Sequence, residues 1–249
     1  MVEIYLKIIQ LEFKKIIILT TDTLHHRFYI NRIYEEGFII DSVFFQKNLP
    51  KPNFKTGPLF ESKEEKFEIK NFFKTTSRDL NKKIKVYNVN NINDRIVSDK
   101  IKIIKPSLGL VFGTSLIKEN IYSLFDGNLF NIHRGIPQFY RGLDSDLWAI
   151  SNNEYDKLGT TIHMVEKKLD TGDYVYQKFL EIKNSMKIDH VRYYTTILAV
   201  EITLMLLEDF FNGVIQLKKQ EKVGEYFTFM PLELKKKAQL KFNNYCKNI

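Results

Sequence analysis

Short apolar runs recur through the first half of the chain, and each run ends in polar or glycine residues. The runs that predict strands cover residues 14–19, 38–45, 85–89, 108–112 and 128–133. Amphipathic stretches at residues 24–34, 94–102, 115–122 and 144–152 have helical spacing. Strands that alternate with helices are typical of a parallel sheet. The pattern therefore predicts an α/β fold with a mostly parallel sheet.

The region between the second and third predicted strands interrupts this alternation. Residues 46–70 contain three prolines and many charged side chains, which predicts a long loop. A helix is expected to follow it at residues 72–81.

The pattern changes again after residue 152. Residues 158–165 and 174–180 alternate like antiparallel strands that are joined by a turn at Asp170. Residues 186–212 have helical spacing, and Gly213 is placed to end that helix.

Two extended segments, residues 214–218 and 226–230, follow the long helix and predict a β-hairpin, with a basic helical end from Lys235. We expect a catalytic domain over residues 1–185 and a small C-terminal helix plus β-hairpin over residues 186–249. Residues 1–12 are interpreted as an extension without a catalytic role, because the first core strand begins after them.

Composition limits the possible classes of protein. The 249 residues carry a net charge of +8, which favours an anionic partner such as a nucleic acid or nucleotide, or else reflects a lysine-rich surface. One cysteine, Cys246, can form neither an internal disulfide nor a cysteine zinc cluster. The longest apolar run, residues 197–207, contains Glu201 and is too short to span a membrane. We therefore expect a cytoplasmic protein with no membrane partner.

Three common site motifs are absent or incomplete. No Gly-x-Gly-x-x-Gly follows the first strand and no Walker-type loop occurs, which disfavours a Rossmann dehydrogenase or a P-loop enzyme. Asp170-Thr171-Gly172 is shared with aspartic proteases, but those enzymes need two such motifs in a mostly β chain.

The candidate chemistry lies between residues 129 and 177. Asn131 and His133 stand two positions apart at the end of a predicted strand, so both side chains point to the same side. Asp170 follows in a later turn. An amide can hold an oxyanion, an imidazole can move a proton and a carboxylate can orient the imidazole, so this set suits acyl transfer. The same three residues also occur as ordinary turn and loop residues.

Four separate motifs together are similar to the 10-formyltetrahydrofolate-dependent formyltransferase family. They are Asn131-Ile132-His133, Pro137 with Arg141-Gly142, Gly159-Thr160-Thr161-Ile162-His163, and Leu169-Asp170-Thr171-Gly172-Asp173. The resemblance implies a twisted, mainly parallel sheet flanked by helices, and N10-formyltetrahydrofolate as formyl donor without a metal. It also implies that Asn131, His133 and Asp170 are catalytic, and that the folate binds near Phe112, Gly113, Thr114, Leu116, Lys168 and Leu169.

Two further features indicate which subgroup of this family the chain resembles. Commoner family members carry Pro-Ser-Leu-Leu-Pro after the histidine, whereas this chain has Arg134-Gly135-Ile136-Pro137. That departure and the tail Tyr226-Phe227-Thr228-Phe229-Met230-Pro231 resemble the sugar N-formyltransferases. The resemblance implies formylation of a dTDP-linked 4-amino-4,6-dideoxysugar, dTDP-4-amino-4,6-dideoxyglucose in particular, for O-antigen and lipopolysaccharide synthesis. It also implies a homodimer through the C-terminal hairpin.

Six residues are candidates for binding this acceptor: His25, Arg134, Tyr140, Arg141, Tyr226 and Phe229. Arginine forks match phosphate oxygens, and aromatic rings can stack on a base. Each also has a structural interpretation, as a salt bridge or as a core residue. We expect His163 to be structural and Trp148 to lie in the core.

Three other functions remain open. The acceptor can be methionyl-tRNA or glycinamide ribotide, although the first enzyme usually has a large C-terminal domain that this sequence does not show. A formyltetrahydrofolate hydrolase would use the same trio with water in place of the amine. A non-catalytic basic module would bind nucleic acid. The intact trio disfavours such a module, and we expect no nucleic-acid partner.

Overall fold

The computed structural model of the protein describes residues 14–249 as nine strands, seven α-helices and three short 3₁₀ turns. The strands are β1 (Ile16–Thr20), β2 (Ile40–Gln46), β3 (Lys85–Val89), β4 (Leu108–Phe112), β5 (Leu129–His133), β6 (Tyr140–Gly142), β7 (Gly159–Met164), β8 (Tyr174–Phe179) and β9 (Glu225–Phe227). The helices are α1 (Leu24–Glu35), α2 (Glu61–Phe72), α3 (Arg95–Ile104), α4 (Glu119–Tyr122), α5 (Ser145–Ser151), α6 (Val191–Asn212) and α7 (Leu232–Tyr245).

Seven of the strands form one sheet in the order β3-β2-β1-β4-β5-β7-β8. The first five strands in that order are parallel to their neighbours, and β7 is antiparallel to both β5 and β8. Strands β6 and β9 form a separate parallel pair. The predicted α/β fold with a mostly parallel sheet is confirmed.

The central strand β1 shows how the sheet is covered. All five of its residues are buried. Ile16 and Ile18 face one layer with α1 and α6, whereas Ile17 and Leu19 face the opposite layer with α3 and α4. A strand that is buried on both faces reads as a continuous apolar run, and this is why β1 was recognisable in the sequence.

The segment between β2 and β3 differs from the prediction. Helix α2 spans Glu61–Phe72, so residues 61–70 are not loop and the helix expected at residues 72–81 is wrong. Glu61 and Glu64 occupy the first turn of the helix, where negative charge interacts favourably with the helix dipole. Charged side chains that suggested a loop are therefore part of a helix start.

The predicted C-terminal β-hairpin is also wrong in its pairing. Lys218 forms an isolated antiparallel bridge with Tyr174, next to the sheet. Residues 225–227 form β9, which pairs in parallel with β6. Each segment therefore finds its backbone partners earlier in the chain, at Tyr174 and on β6. A two-stranded hairpin alone would be only marginally stable.

The C-terminal helices pack on the rest of the chain. Leu206 and Leu207 of α6 are buried in the sheet core, and Phe242 of α7 is buried in a second cluster with Leu147 and Ile150 of α5. The proposed division at residue 185 stays a prediction, and the extension at residues 1–12 lies outside the described residues. Within residues 14–249, no helix has both the length and the apolar character that crossing a membrane requires.

Replacing Phe242 with alanine tests whether α7 is part of the folded core. Phe242 is fully buried, so we expect the free energy of unfolding to fall by about 3–5 kcal/mol. Leu240 on the same helix is 65% exposed, and Leu240→Ala should change stability by no more than about 0.5 kcal/mol. Urea unfolding followed by circular dichroism measures both, and equal losses would contradict this packing.

Candidate active site

Asn131 and His133 lie at the carboxyl end of β5. Asn131 is half-buried and His133 is 7% exposed. The two side chains share one face because β-strand residues alternate. Ligands in open α/β sheets bind outside the carboxyl ends of the strands, so β5 delivers an amide and an imidazole to the expected position.

Asp170 enters the site from the turn between β7 and β8. Its backbone adopts the left-handed conformation, with φ 54°, which Asp tolerates better than most residues. The turn presses against β7, since a Cβ atom added to Gly172 would lie 2.1 Å from the carbonyl oxygen of Met164. The side chain of Asp170 is thereby directed inward and buried.

The structure brings the three predicted catalytic residues together. Asn131 Nδ2 lies 3.3 Å from Asp170 Oδ1, and His133 Nδ1 lies 3.7 Å from Asp170 Oδ2. The backbone N–H of Gly142 donates to Asp170 Oδ2 at 2.8 Å. One carboxylate thus faces the amide, the imidazole and a backbone donor at once.

His163 is a fourth member of this cluster, and the sequence analysis did not predict that role. Its Nε2 atom lies 3.1 Å from Asn131 Nδ2 and 3.3 Å from Asp170 Oδ1. The antiparallel register of β5 and β7 places His163 directly opposite Asn131. Pairing the predicted strand at residues 158–165 with β5 would have revealed this neighbour.

Backbone carbonyls determine the tautomers of both histidines, because a carbonyl oxygen only accepts. His133 Nε2 lies 3.0 Å from the oxygen of Tyr140, and His163 Nδ1 lies 2.9 Å from the oxygen of Met164. We therefore assign one proton to each of these nitrogens. His133 Nδ1, which faces Asp170, and His163 Nε2, which faces Asn131, are left as acceptors in the neutral rings.

Asp170 stays ionised although it is buried. Burial acts to raise the pKa of its carboxyl group, but the imidazoles of His133 and His163 in their protonated form and the N–H of Gly142 together hold that pKa well below its usual range. When the His133 ring is neutral, its Nδ1 atom faces this negative charge as a free acceptor.

Gly142 connects this carboxylate to the short sheet of β6 and β9. Its backbone has φ 92°, and an added Cβ atom would lie 2.1 Å from the carbonyl oxygen of Phe227. That oxygen also accepts a hydrogen bond from the N–H of Leu143 at 3.0 Å. Glycine is needed here both for the positive φ and for the close approach of β9.

The residues expected to bind folate line the loop after β4 and the turn before Asp170. Phe112 is buried, Thr114 and Leu169 are half-buried, and Gly113, Leu116 and Lys168 are exposed. A Cβ atom on Gly113 would lie 2.8 Å from the ring of His26. His26 packs edge-on against Phe112.

His25 and His26, at the start of α1, are affected by the charges of Arg134 and Arg192. His25 and His26 are buried, and their pKa values are lowered first by burial and then by neighbouring charge, including that of Arg134. For His26 the pKa falls to about 3. Arg134 itself is half-buried. Of the acceptor candidates, Arg141 and Tyr226 are direct partners in the register of β6 and β9, whereas contact of His25 and Arg134 with an acceptor stays a prediction.

The other acceptor candidates have partners within the protein. Arg141 donates from Nε to the oxygen of Gly224 at 2.8 Å and from Nη1 to the oxygen of Leu169 at 3.1 Å. The buried Tyr140 bonds through its hydroxyl to Glu154 and Asn152. Contact of these side chains with an acceptor stays a prediction.

The two aromatic candidates of the tail, Tyr226 and Phe229, differ in burial. Tyr226 is exposed and Phe229 is half-buried. Phe227 between them stacks on Tyr140 and on Trp148, with ring centroids 5.4 and 4.8 Å apart. Trp148, which we expected in the core, is half-buried and packs against the cluster that contains Tyr140, so it lies at the edge of that core.

Buried charges also join α2 to the start of α6. Arg192 contacts Glu64 at 2.6 Å and Glu68 at 2.6 Å. Burial raises the pKa of Glu64 to about 7, against the opposing charge of Arg192. Sequence reasoning missed this network because it interpreted residues 61–70 as loop.

Gly142→Ala tests the close approach of β9, and Gly37→Ala is its control. Both glycines have φ near 90°, so both variants should lose about 1–2 kcal/mol from backbone strain. Gly37 has no atom within 4 Å of an added Cβ, whereas Gly142 meets a carbonyl. We expect Gly142→Ala to lose about 1–3 kcal/mol more in urea unfolding. Equal losses would show that β9 yields freely.

The buried neutral His26 predicts a loss of stability in acid. The unfolded chain binds a proton at His26 below about pH 6.5, whereas the folded protein does so only near pH 3. The free energy of unfolding should therefore fall by about 1.4 kcal/mol per pH unit for this one proton as the pH drops from 6.5 toward 3. Urea unfolding at pH 7 and pH 5 measures this slope. It should be shallower in His26→Gln, and an unchanged slope would exclude His26 as its source.

Comparisons with known proteins agree with this geometry. The family model described as formyl transferase matches residues 56–207. A methionyl-tRNA formyltransferase from Flavobacterium psychrophilum is 25% identical over 154 residues, which cover 62% of this chain and 48% of that protein. The chain thus spans about half the length of the curated relatives it matches.

Solved structures share the fold. A 4-N formyltransferase from Francisella tularensis has a TM-score of 0.56 at 20% identity, covering 86% of this chain and 76% of that one. The formyltransferase PseJ from Anoxybacillus kamchatkensis, in complex with UDP-4,6-dideoxy-4-formamido-L-AltNAc and tetrahydrofolate, has a TM-score of 0.53 at 17% identity and covers 86% and 85% of the two chains. With the family model matching more than half of its length, the chain belongs to the formyl transferase family.

Proposed function

We propose that this protein is a sugar N-formyltransferase. It transfers a formyl group from N10-formyltetrahydrofolate to the 4-amino group of a dTDP-linked 4-amino-4,6-dideoxysugar, such as dTDP-4-amino-4,6-dideoxyglucose, for O-antigen and lipopolysaccharide synthesis. The observation that carries the proposal is the buried cluster of Asn131, His133, His163 and Asp170 in a member of the formyl transferase family.

The residues around the candidate folate site suit a flat, partly apolar donor. Leu116 is 48% exposed beside the open backbone of Gly113, and Lys168 is exposed at the turn before Asp170. When bound, N10-formyltetrahydrofolate supplies the formyl carbon. Leu116 and Phe112 would contact its ring system, and Lys168 would attract its carboxylates.

His133 is placed to take the proton that the amine loses. The amine nitrogen would form a bond to the formyl carbon with its lone pair and give up a proton to His133. The bond between the formyl carbon and N10 would then break, and the same proton can pass from His133 to N10 so that tetrahydrofolate leaves neutral. His133 Nδ1 is the unprotonated nitrogen, and Asp170 Oδ2 lies 3.7 Å from it. The ionised carboxylate stabilises the imidazolium that results.

Asn131 is placed to stabilise the formyl oxygen as negative charge develops on it. Both hydrogens of Nδ2 already have partners, His163 at 3.1 Å and Asp170 at 3.3 Å. The bond to Asp170 is the longer one, so we infer that it is exchanged for the charged oxygen. Removing one such donor typically costs about 10²–10³ in rate.

Charge near α1 supports an anionic acceptor. Burial and then neighbouring charge, including that of Arg134, lower the pKa values of His25 and His26, so this cation is close enough to α1 to act on both rings. A guanidinium can bind phosphate oxygens in pairs. Two solved structures that share this fold, a 4-N formyltransferase and PseJ with a UDP-linked formamido sugar, support a nucleotide sugar as acceptor.

Three other parts of the proposal are open to measurement. Val214, Leu217, Val223 and Tyr226 expose large apolar side chains on the C-terminal segment. These side chains support a homodimer through this surface, and sedimentation velocity measures the mass of the assembly directly.

The cytoplasmic location stays a prediction. Within residues 14–249, no group of three or more His, Cys, Asp or Glu side chains is arranged to hold a metal, and the expected independence of metal also remains to be tested.

Methionyl-tRNA is the second candidate acceptor, because the curated relatives are methionyl-tRNA formyltransferases. The net charge of +8 is compatible with it. The same assay can include both acceptors.

The test is incubation with N10-formyltetrahydrofolate and a panel of dTDP- and UDP-linked amino sugars, methionyl-tRNA and glycinamide ribotide, with mass spectrometry of each product. We expect one formyl group to be gained by a 4-amino sugar nucleotide. Formylation of the tRNA alone would replace the sugar proposal, and release of formate alone would indicate a hydrolase.

Variants test the assigned roles in that assay. His133→Asn should lower turnover by about 10²–10⁴, because the proton acceptor is lost, while binding of the nucleotide sugar stays close to wild type. His190→Asn is the matched control, since His190 stacks on Phe67 away from the cluster. Full activity of His133→Asn would disprove its role in proton transfer.

A further inference from the structure

We propose that Gln220 is a positioning residue for Asp170, and that the C-terminal segment of residues 218–224 holds the turn that carries this carboxylate. The catalytic meaning of this inference rests on the proposed formyl transfer. The contacts themselves do not depend on it.

Gln220 bonds directly to the backbone of the Asp170 turn. Its Nε2 atom donates to the oxygen of Asp170 at 3.1 Å and to the oxygen of Gly172 at 2.7 Å. Both partners are carbonyls and can only accept, so the NH₂ group must face them. Gln220 Oε1 is buried without a donor among the described residues. One side chain thus spans the turn from the catalytic residue to the glycine behind it.

Two neighbouring contacts fasten the same segment on either side of Gln220. Lys218 and Tyr174 exchange two backbone hydrogen bonds, at 2.8 and 2.9 Å. Arg141 bonds to the oxygen of Gly224 and to the oxygen of Leu169. The C-terminal chain therefore holds the turn directly at and after Asp170, and Arg141, which also bonds to that chain, holds it before Asp170.

The turn needs such support because its geometry is unfavourable on its own. Asp170 has a left-handed backbone, and its charge is buried. A shift of the turn would lengthen the bonds from Gly142, Asn131 and His163 to the carboxylate together. Misplacement of a catalytic group by about 1 Å can cost 10²-fold in rate.

The position of Gln220 in the chain explains why motif matching does not reveal it. The formyl transferase match ends at residue 207, and Gln220 follows α6. The contacts of Gln220 therefore lie in a segment for which the sequence predicts dimerisation. The inference adds a role for that segment at the active site.

The kinetic test compares Gln220→Met with Gln216→Met. Methionine keeps the length of the side chain but removes both donors, and Gln216 is exposed on the same segment. We expect kcat to fall at least tenfold in Gln220→Met with little change in either KM, and Gln216→Met to match the wild type. A kcat within twofold of wild type in Gln220→Met would overturn the proposal.

Gln220→Glu adds a pH signature that a purely structural role would not show. An ionised carboxylate would face two carbonyl oxygens and repel them, whereas a protonated one can donate a single bond. The deficit of Gln220→Glu relative to the wild type should therefore shrink as the pH is lowered, while that of Gln220→Met stays constant. Parallel deficits in the two variants at every pH would contradict the proposal.

A measurement without substrate separates this inference from the proposed function. The imidazole proton resonances of His133 and His163 respond to the charge of Asp170, and His190 serves as an internal reference. In Gln220→Met we expect the pH titration curves of His133 and His163 to change while that of His190 does not. Unchanged titration curves of His133 and His163 would overturn the positioning role of Gln220 even if formyl transfer is confirmed. Changed curves in a protein without formyl transfer would support that role and refute the proposed function.

Discussion

A buried, ionised carboxylate sets the requirements for the rest of the site. Asp170 is 4% exposed and yet charged, which is tolerable only if donors and positive charge surround it. β5 provides Asn131 and His133, β7 provides His163, and the end of β6 provides the N–H of Gly142. The partners come from three different strands, so the arrangement of the strands is tied to the stabilisation of one charge.

The same arrangement determines how protons are held. Carbonyl oxygens of Tyr140 and Met164 each bind one imidazole N–H, which fixes the tautomers of His133 and His163. The remaining nitrogens face the Asp170 and Asn131 side chains. With both rings neutral, the site holds one negative charge and an available base. It suits a reaction in which the nucleophile arrives with the substrate and must lose a proton.

Much of the fold and the clustering of Asn131, His133 and Asp170 could be predicted from the sequence because they depend on local signals. Buried parallel strands such as β1 read as apolar runs, and the period of two placed Asn131 and His133 on one face. His163 and Gln220 were not predicted because their roles come from the register of β7 against β5 and from a long-range contact. Helix α2 was missed since its charged residues, which interact with its dipole and with Arg192, resemble a loop in composition.

The pairing of β6 with β9 has a consequence for how the protein is made. Arg141 and Gly224 are in contact although 83 positions separate them along the chain, and Gln220 reaches Asp170 across 50. Such contacts form late, because closing a long loop costs entropy before any contact repays it. During synthesis the ribosome must release β9 before Gly142 and Asp170 can settle. The emerging chain thus carries Asn131, His133 and Asp170 well before the contacts that hold them together can form, so assembly of this cluster is among the last steps of folding.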